Sequence, residues 1–120
     1  MPLQSKSLDE PDQVRTFGHG RAEIVEVGDV ALQRATFAPG WKWSQDIKPN
    51  VGTDTCQVHH VGYVIAGKLH VEMDDGSHTD LGPGDAVDIS PGHDAWVLGN
   101  DACVMLDWGP GAVGYATPAS

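Results

Sequence analysis

Three side chains of types that bind metal ions stand two and four positions apart in one short segment. Asp54, Cys56 and His60 fall on the same face if this segment is extended, because successive side chains of a strand point to opposite faces. A Cys thiolate and a neutral imidazole both bind Zn²⁺, Fe²⁺ or Cu at about 2.0–2.3 Å. The alternative is structural, with His60 an interior histidine satisfied by hydrogen bonds and Cys56 a small buried apolar residue.

A pair of tryptophans follows the turn residues Pro39–Gly40. Trp41 and Trp43 are two positions apart, so their indoles share a face of an extended segment and offer flat apolar walls with one N–H donor each. This pattern indicates a pocket for an aromatic or otherwise planar ligand. Rim packing or a dimer contact is an equal alternative, since Trp is enriched at interfaces.

These residues need elements to position them, and the sequence predicts short strands separated by turns about every 8–12 residues. The runs with strand composition are Arg21–Val27, Val30–Phe37, Gln57–Ile65, Lys68–Met73, Ala86–Ile89 and Cys103–Trp108. Alternation is clearest in Lys68–Met73, where Leu69, Val71 and Met73 share one face. Such spacing is typical of an all-β sandwich or barrel.

Length and charge limit the fold and the partners. A chain of 120 residues predicts one domain, and its 15 Gly and 8 Pro argue against a helical bundle. Seven Lys and Arg against 17 Asp and Glu give a net charge of −10. This charge predicts no binding to nucleic acid or to an anionic membrane, because phosphates attract the opposite sign.

Cellular location and domain limits follow from the same composition. No stretch approaches the ~20 apolar residues of a membrane span, and the first residues contain no apolar signal-peptide core. Two cysteines, Cys56 and Cys103, are too few for a disulfide scaffold and indicate thiols in a reducing compartment. We therefore expect a cytoplasmic protein with a flexible polar arm, residues 1–16, and a barrel domain, residues 17–120.

Between Phe37 and Trp108 the sequence resembles the cupin family of small barrels. The similar stretches are Tyr63–Val71, Asp75–Gly76 and Leu81–Gly92, which match the family's second-strand glycine, its hairpin and its P-G-D-x-x-x-I-x-P-G strand. The resemblance implies an all-β double-stranded β-helix, or jelly-roll, whose interior often holds a metal. It implies no single reaction, because this fold carries dioxygenases, isomerases, epimerases, cyclases, storage proteins and sensor domains.

The resemblance also implies a set of metal ligands. Aligned on the closing glycine of the family's first motif, His60 stands at the Glu position, and Cys56 and Asp54 stand at the two His positions. In the second motif Ala95 replaces the family's His, and His93 lies two residues before it on the same face. The implied ligands are Cys56, His60 and His93, with Asp54 a fourth ligand or an acceptor that fixes one imidazole tautomer.

Two functions are consistent with these residues. The leading one is a small cupin that binds a divalent metal, Zn or Fe or a similar ion, together with a small organic ligand against Trp41 and Trp43. Oxygenation, isomerisation and a lyase-type reaction are then the candidate chemistries. The alternative is a metal-free small-molecule binding or sensory module without turnover. For either function, sheet edges, exposed Trp and the arm favour a homodimer.

Overall fold

The structure is a computed structural model that describes residues 3–109. Its strands are β1 (Gln13–Phe17), β2 (Gly20–Val27), β3 (Val30–Phe37), β4 (His60–Ala66), β5 (Lys68–Met73), β6 (His78–Leu81), β7 (Ala86–Ile89), β8 (His93–Leu98) and β9 (Cys103–Asp107). The larger sheet has the order β1-β2-β3-β9-β4-β7, and the smaller has the order β6-β5-β8. Every strand pairing is antiparallel. Two helical turns, α1 (Trp43–Asp46) and α2 (Lys48–Val51), lie between β3 and β4.

Alternation of side chains decides which face of each strand is buried. In β5, Leu69 and Val71 are buried while their polar neighbours are turned away from the core, as the sequence pattern predicts. In β9 the same alternation buries Cys103, Met105 and Asp107. An ionisable side chain therefore lies on the inward face of the larger sheet.

The inward faces of the two sheets enclose one hydrophobic core. Its buried residues include Ala35, Phe37, Val64 and Met105 from the larger sheet and Leu69, Val71, Ala95 and Val97 from the smaller. The ring centroids of Phe37 and Trp41 are 4.1 Å apart, so the first tryptophan of the pair packs directly against β3. The predicted all-β class is confirmed.

The chain between β3 and α1 is attached to the smaller sheet. Lys42 forms an isolated antiparallel bridge with Trp96 of β8, and the Val97 N–H donates to the Trp41 carbonyl at 3.0 Å. The Lys42 ammonium also lies 4.9 Å from the centroid of the Trp96 ring. These contacts hold Trp41 and Trp43 against the interior of the barrel.

The turn between β4 and β5 depends on a glycine. Gly67 has a φ of +77°, a conformation that side-chain-bearing residues rarely adopt. A Cβ atom at this position would lie 2.3 Å from the Ala102 carbonyl oxygen. The turn at Gly67 therefore lies so close to the residues that precede β9 that only glycine fits.

The elements differ from the sequence prediction in several places. β1 and β6 are not among the expected strands. Only Leu81 of the four residues of β6 is buried, so β6 lacks an apolar alternation. The helical turns of four residues each are too short to show a helical period. Within residues 3–109, no helix has the length and apolar character needed to cross a membrane.

The first strand overlaps the predicted arm. β1 begins at Gln13 and pairs with β2, and the residues before it also contact the larger sheet. Arg34 forms an ion pair with Asp9 at 3.0 Å, and Asp12 accepts from the Glu26 N–H at 2.8 Å. The division into a flexible arm and a barrel domain stays a prediction, and residues 110–120 of that domain lie outside the described part of the chain.

Candidate functional site

Three metal-binding side chains meet at one end of the barrel. Cys56, His60 and His93 each offer one ligand atom, and these atoms lie within 4.8 Å of one another. The Cys56 Sγ is 3.6 Å from the His60 Nε2, and the ring centroids of His60 and His93 are 5.1 Å apart. Donor atoms at these separations face a common point.

Backbone pairing fixes the three residues relative to each other. His60 is the first residue of β4 in the larger sheet, and His93 is the first residue of β8 in the smaller sheet. Cys56 precedes β4 and forms an isolated bridge with His93. In this bridge the Cys56 N–H donates to the His93 carbonyl, and the Gly92 N–H donates to the Cys56 carbonyl, both at 2.7 Å. The site therefore joins the two sheets.

A carboxylate fixes the orientation of the His60 ring. The His60 Nδ1 lies 2.5 Å from Oδ2 of Asp107, the last residue of β9, and both side chains are largely buried. A carboxylate only accepts, so Nδ1 carries the proton and Nε2 is the nitrogen directed at Cys56. The other oxygen of Asp107 accepts from the Gly109 N–H at 2.8 Å, which holds the carboxylate in place.

The ring of His93 is fixed by a backbone carbonyl. Its Nδ1 donates to the Ser90 carbonyl oxygen at 2.8 Å, and the residue is buried. Because Nδ1 makes this bond, Nε2 is the ring nitrogen that faces the cluster. Both imidazoles therefore present Nε2 to the site and use Nδ1 to hold their orientation.

The pKa values of Cys56 and His60 are shifted toward a mutual ion pair. Burial alone raises the pKa of Cys56, but hydrogen bonds from His60 and His93 outweigh it and lower the pKa to about 6. Burial alone lowers the pKa of His60, but hydrogen bonds to Asp107 and Cys56 raise it to about 9. The metal-free site thus holds a thiolate against an imidazolium, and the thiolate is the form of Cys that binds metals.

A small cavity lies beside the cluster. Its volume is about 40 Å³, and the residues around it are Gln33, Ala35, Phe37, Trp41, Trp43, His60, Gly62, Leu69, Ile89, Ala95, Met105 and Asp107. Trp41 and Trp43 are each 2% exposed, so they are interior walls and their indoles are not available for a dimer contact. The cavity connects the predicted ligand-binding pair with the His60–Asp107 end of the cluster.

Comparison with known proteins identifies the architecture. No family model and no curated protein matches the sequence. Among solved structures, a cupin-like protein from Thermotoga maritima superposes with a TM-score of 0.55 over 78% of this chain and 70% of its own, at 16% identity. The chain has the cupin fold.

Two further solved structures are similar to this cupin barrel. KdgF from Halomonas sp. is 26% identical, with a TM-score of 0.55 over 78% of this chain and 82% of that one. Ectoine synthase from P. lautus is 13% identical, with a TM-score of 0.66 over 90% of this chain and 78% of that one. The likeness concerns the fold, and it confirms the predicted resemblance to cupins and the jelly-roll architecture.

The cupin barrel brings together three of the four predicted ligands, and the placement of Asp54 is wrong. The Asp54 side chain is fully exposed and lies 3.8 Å from the Lys48 Nζ. The expectation assumed an extended segment from Asp54 to His60, but β4 begins only at His60. Because the preceding residues are irregular, alternation does not carry Asp54 into the interior.

Other candidate side chains lie elsewhere in the barrel. His59, the neighbour of His60, contacts Asp88 at 2.6 Å at the surface. Cys103 is a buried free thiol, and burial raises its pKa to about 11. It is therefore a core residue outside the cluster.

Asp107 is a site residue that sequence reasoning missed. The signal was its position in the predicted strand Cys103–Trp108, where it follows Cys103 and Met105 in the inward alternation. An ionisable residue on an inward face needs a partner. That partner is His60, which lies 47 residues away in sequence, so its identity required the pairing of β9 with β4.

Proposed function

We propose that this cupin binds one divalent transition metal ion at Cys56, His60 and His93 and a small organic molecule in the adjacent cavity. The observation that carries the proposal is the convergence of three donor atoms within 4.8 Å. The second nitrogen of each imidazole is already engaged by a fixed acceptor. Histidines that bind metals in proteins commonly donate the N–H of their other ring nitrogen to an acceptor of this kind.

The donor set fits a metal ion. Bond lengths of about 2.0–2.3 Å and tetrahedral angles place two donors about 3.3–3.8 Å apart, and the Cys56–His60 separation is 3.6 Å. Thiolate and imidazole are donors for zinc, iron or copper. Three protein ligands leave a coordination position for water or for a ligand in the cavity.

The residues around the metal position have separate tasks. A bound metal would supply a Lewis acid or, if it is iron or copper, a centre for oxygen chemistry. Asp107 keeps the proton on Nδ1 of His60, and His60 releases its Nε2 proton when a metal takes that place. Trp41 and Trp43 form part of the wall of the cavity beside the cluster. Oxygenation, isomerisation and a lyase-type reaction all remain open to such a site.

The metal content of a cysteine variant tests the proposal. Protein purified without a chelating column or a His-tag is expected to contain one metal per chain by elemental analysis. Cys56→Ser is expected to lower the affinity at least about tenfold, because a neutral hydroxyl is a poor donor for these ions. Cys103→Ser is the matched control, since it removes the other buried thiol and leaves the cluster intact.

Two results would count against the metal site as proposed. Metal contents near zero in wild type and both variants after incubation with Zn²⁺, Fe²⁺ and Cu²⁺ would contradict it and favour a metal-free binding module. Full and equal occupancy in wild type and Cys56→Ser would remove Cys56 from the ligand set. A thiolate-to-metal absorption band with Co²⁺, present in Cys103→Ser and absent from Cys56→Ser, is the positive result.

We also propose that the protein acts as a cytoplasmic homodimer. Its two cysteines are free thiols, which suits a reducing compartment. On the outward face of β4, Tyr63 and Ile65 are 40% and 46% exposed, and Trp108 lies beside them because its N–H donates to the Val61 carbonyl at 2.9 Å. An outward apolar strip of this kind supports pairing with a second copy.

A further inference from the structure

Two residues that line the cavity each have a buried polar atom without a partner. Among the hydrogen bonds of residues 3–109, none satisfies the Gln33 Oε1 or the Trp41 Nε1. Both residues are 2% exposed, and both line the cavity beside the cluster. Buried polar groups in folded proteins are nearly always hydrogen-bonded, so a pair of unpartnered atoms around one cavity points to a ligand.

The two atoms have opposite hydrogen-bonding roles. The Gln33 oxygen is an acceptor, and the Trp41 indole nitrogen is a donor only. Gln33 pairs with Asp107 in the β3–β9 register, so its amide lies next to the carboxylate that holds His60. The remaining walls are largely apolar, with Phe37 and Leu69 among them. A ligand must therefore combine one donor and one acceptor with an aliphatic part.

The size of the cavity limits the ligand to a few atoms. A space of about 40 Å³ holds about three water molecules, which occupy about 90 Å³ of liquid. That volume corresponds to about four or five non-hydrogen atoms in an organic molecule. A ligand of this size has room for one functional group, which would have to serve both unpartnered atoms.

The charges of the site favour a neutral ligand. No Lys or Arg is among the residues that line the cavity, and the carboxyl-bearing Asp107 is one of its walls. An anionic ligand would therefore lose its hydration there without meeting a lysine or arginine side chain as a counter-charge.

We propose that the cavity binds a small neutral carboxamide, whose carbonyl oxygen accepts from the Trp41 Nε1–H and whose N–H donates to the Gln33 Oε1. This proposal rests on the proposed function in one respect, that the cavity takes an organic ligand. It adds the chemical class of that ligand. A primary amide is a small neutral group that offers an acceptor oxygen and a donor nitrogen on the same carbon, and its alkyl chain then packs on the apolar walls.

Three probes of nearly equal shape test the proposal. Propionamide has both hydrogen-bonding groups, 2-butanone keeps the carbonyl but replaces the N–H donor with a methyl group, and propionate is the anion. Binding is followed by NMR on the tryptophan indole N–H signals, with Trp41 assigned from Trp41→Phe. We expect propionamide to shift the Trp41 signal and to bind about tenfold more tightly than 2-butanone, the effect of one hydrogen bond with a buried acceptor. Propionate is expected not to bind.

Variants of the acceptor provide a second comparison. Gln33→Met keeps the length of the side chain and removes the acceptor, so propionamide and 2-butanone should bind to it with equal affinity. Gln57→Met is the matched control, because Gln57 is exposed and bonds to Thr55, and it should keep the tenfold preference. If Gln33→Met does not fold, the preference of the wild-type protein between the two probes still decides the question.

The metal proposal and the amide proposal can fail separately. The same titrations are carried out on zinc-treated wild type and on Cys56→Ser. A tenfold amide preference in protein that takes up no zinc supports the amide site and contradicts the metal centre. Equal binding of propionamide and 2-butanone to wild type that carries zinc, or an unmoved Trp41 signal, overturns the amide site and leaves the metal centre standing.

Discussion

Replacing Asp107 by Asn tests how the carboxylate prepares His60 for a metal. In the wild-type protein Oδ1 of Asp107 accepts from the Gly109 N–H and Oδ2 accepts from the His60 Nδ1–H. In Asp107→Asn the amide oxygen can keep the bond to Gly109, and the NH₂ group then faces Nδ1. The favoured tautomer of His60 therefore carries its proton on Nε2, the atom directed at Cys56.

The expected loss of affinity follows from this contact. Binding a metal at Nε2 now requires an unfavourable tautomer with an N–H facing an NH₂ group. Removing a partner that orients a metal-binding histidine typically lowers metal affinity about 10–100-fold, which corresponds to about 1.4–2.7 kcal/mol. In the metal-free protein the pKa of His60 is also expected to fall, because a hydrogen bond that raises it is lost.

Chelator competition with Zn²⁺ measures the change in affinity, and histidine NMR signals report the pKa. Asp88→Asn is a matched control, since Asp88 makes a similar contact of 2.6 Å with His59 at the surface. Its zinc affinity is expected to stay within about twofold of wild type, because the pair lies outside the cluster and is exposed to solvent. Near-ultraviolet circular dichroism verifies that both variants keep their tertiary packing.

A zinc affinity of folded Asp107→Asn within twofold of wild type would refute the reasoning. It would mean either that His60 does not bind the metal or that the carboxylate does not determine its tautomer. A similar loss in Asp88→Asn would also refute it, since the effect would then be one of general charge. The combination of a lower affinity with an unchanged His60 pKa would contradict the assigned hydrogen bond.

Three further predictions concern stability and assembly. In metal-free protein the raised pKa of His60 stabilises the fold fully below pH 6.5, and this contribution is lost as pH rises through about 9. The lowered pKa of Cys56 stabilises the fold fully above pH 9.0, and this contribution is lost as pH falls through about 6. Urea unfolding of wild type should therefore give a nearly constant contribution from this pair between pH 6.5 and 9.0, while Cys56→Ser should lose stability with rising pH; a variant as constant as wild type would contradict this. Gly67→Ala should lower the free energy of unfolding by about 3 kcal/mol or more, because the added Cβ meets the backbone at a position that also has a positive φ. Gly76→Ala should lower it by only about 1 kcal/mol, because φ is also positive there but no atom lies near the added Cβ. Equal losses in the two variants would disprove the clash. Light scattering should give about twice 12.7 kDa for the homodimer and the single-chain mass for Tyr63→Glu, and a wild-type mass of one chain at micromolar concentration would rule the dimer out.

The barrel was predictable because its strands carry local patterns. The alternation in Lys68–Met73 and the turn residues at Asp74–Ser77 depend only on neighbouring residues. β6 carries no such pattern, since three of its four residues are exposed, and it is recognised as a strand only by its pairing with β5. Local sequence patterns therefore predict the strands that bury an apolar face, and they miss strands that are defined only by their pairing.

The candidate site was predictable only in part, for a related reason. His60 and His93 lie at the first residues of their strands, where alternation and the cupin motif position them together. Asp54 was misplaced because the chain before His60 is shaped by the bridge from Cys56 to β8, a contact between distant residues. Asp107 and Gln33 reach the site through the pairings of β9 and β3, which no local pattern contains.

The attachment of the tryptophan segment to β8 has a consequence for the speed of ligand exchange. β8, which begins with His93, also pairs with the segment that carries Trp41, a residue in the cavity wall. The contacts are the Val97–Trp41 hydrogen bond and the Lys42–Trp96 bridge. Widening the cavity on this side breaks those contacts. A ligand that enters past Trp41 can therefore bind only while this backbone pairing is transiently open. We expect occupied and empty barrels to interconvert slowly enough to give two separate NMR signals.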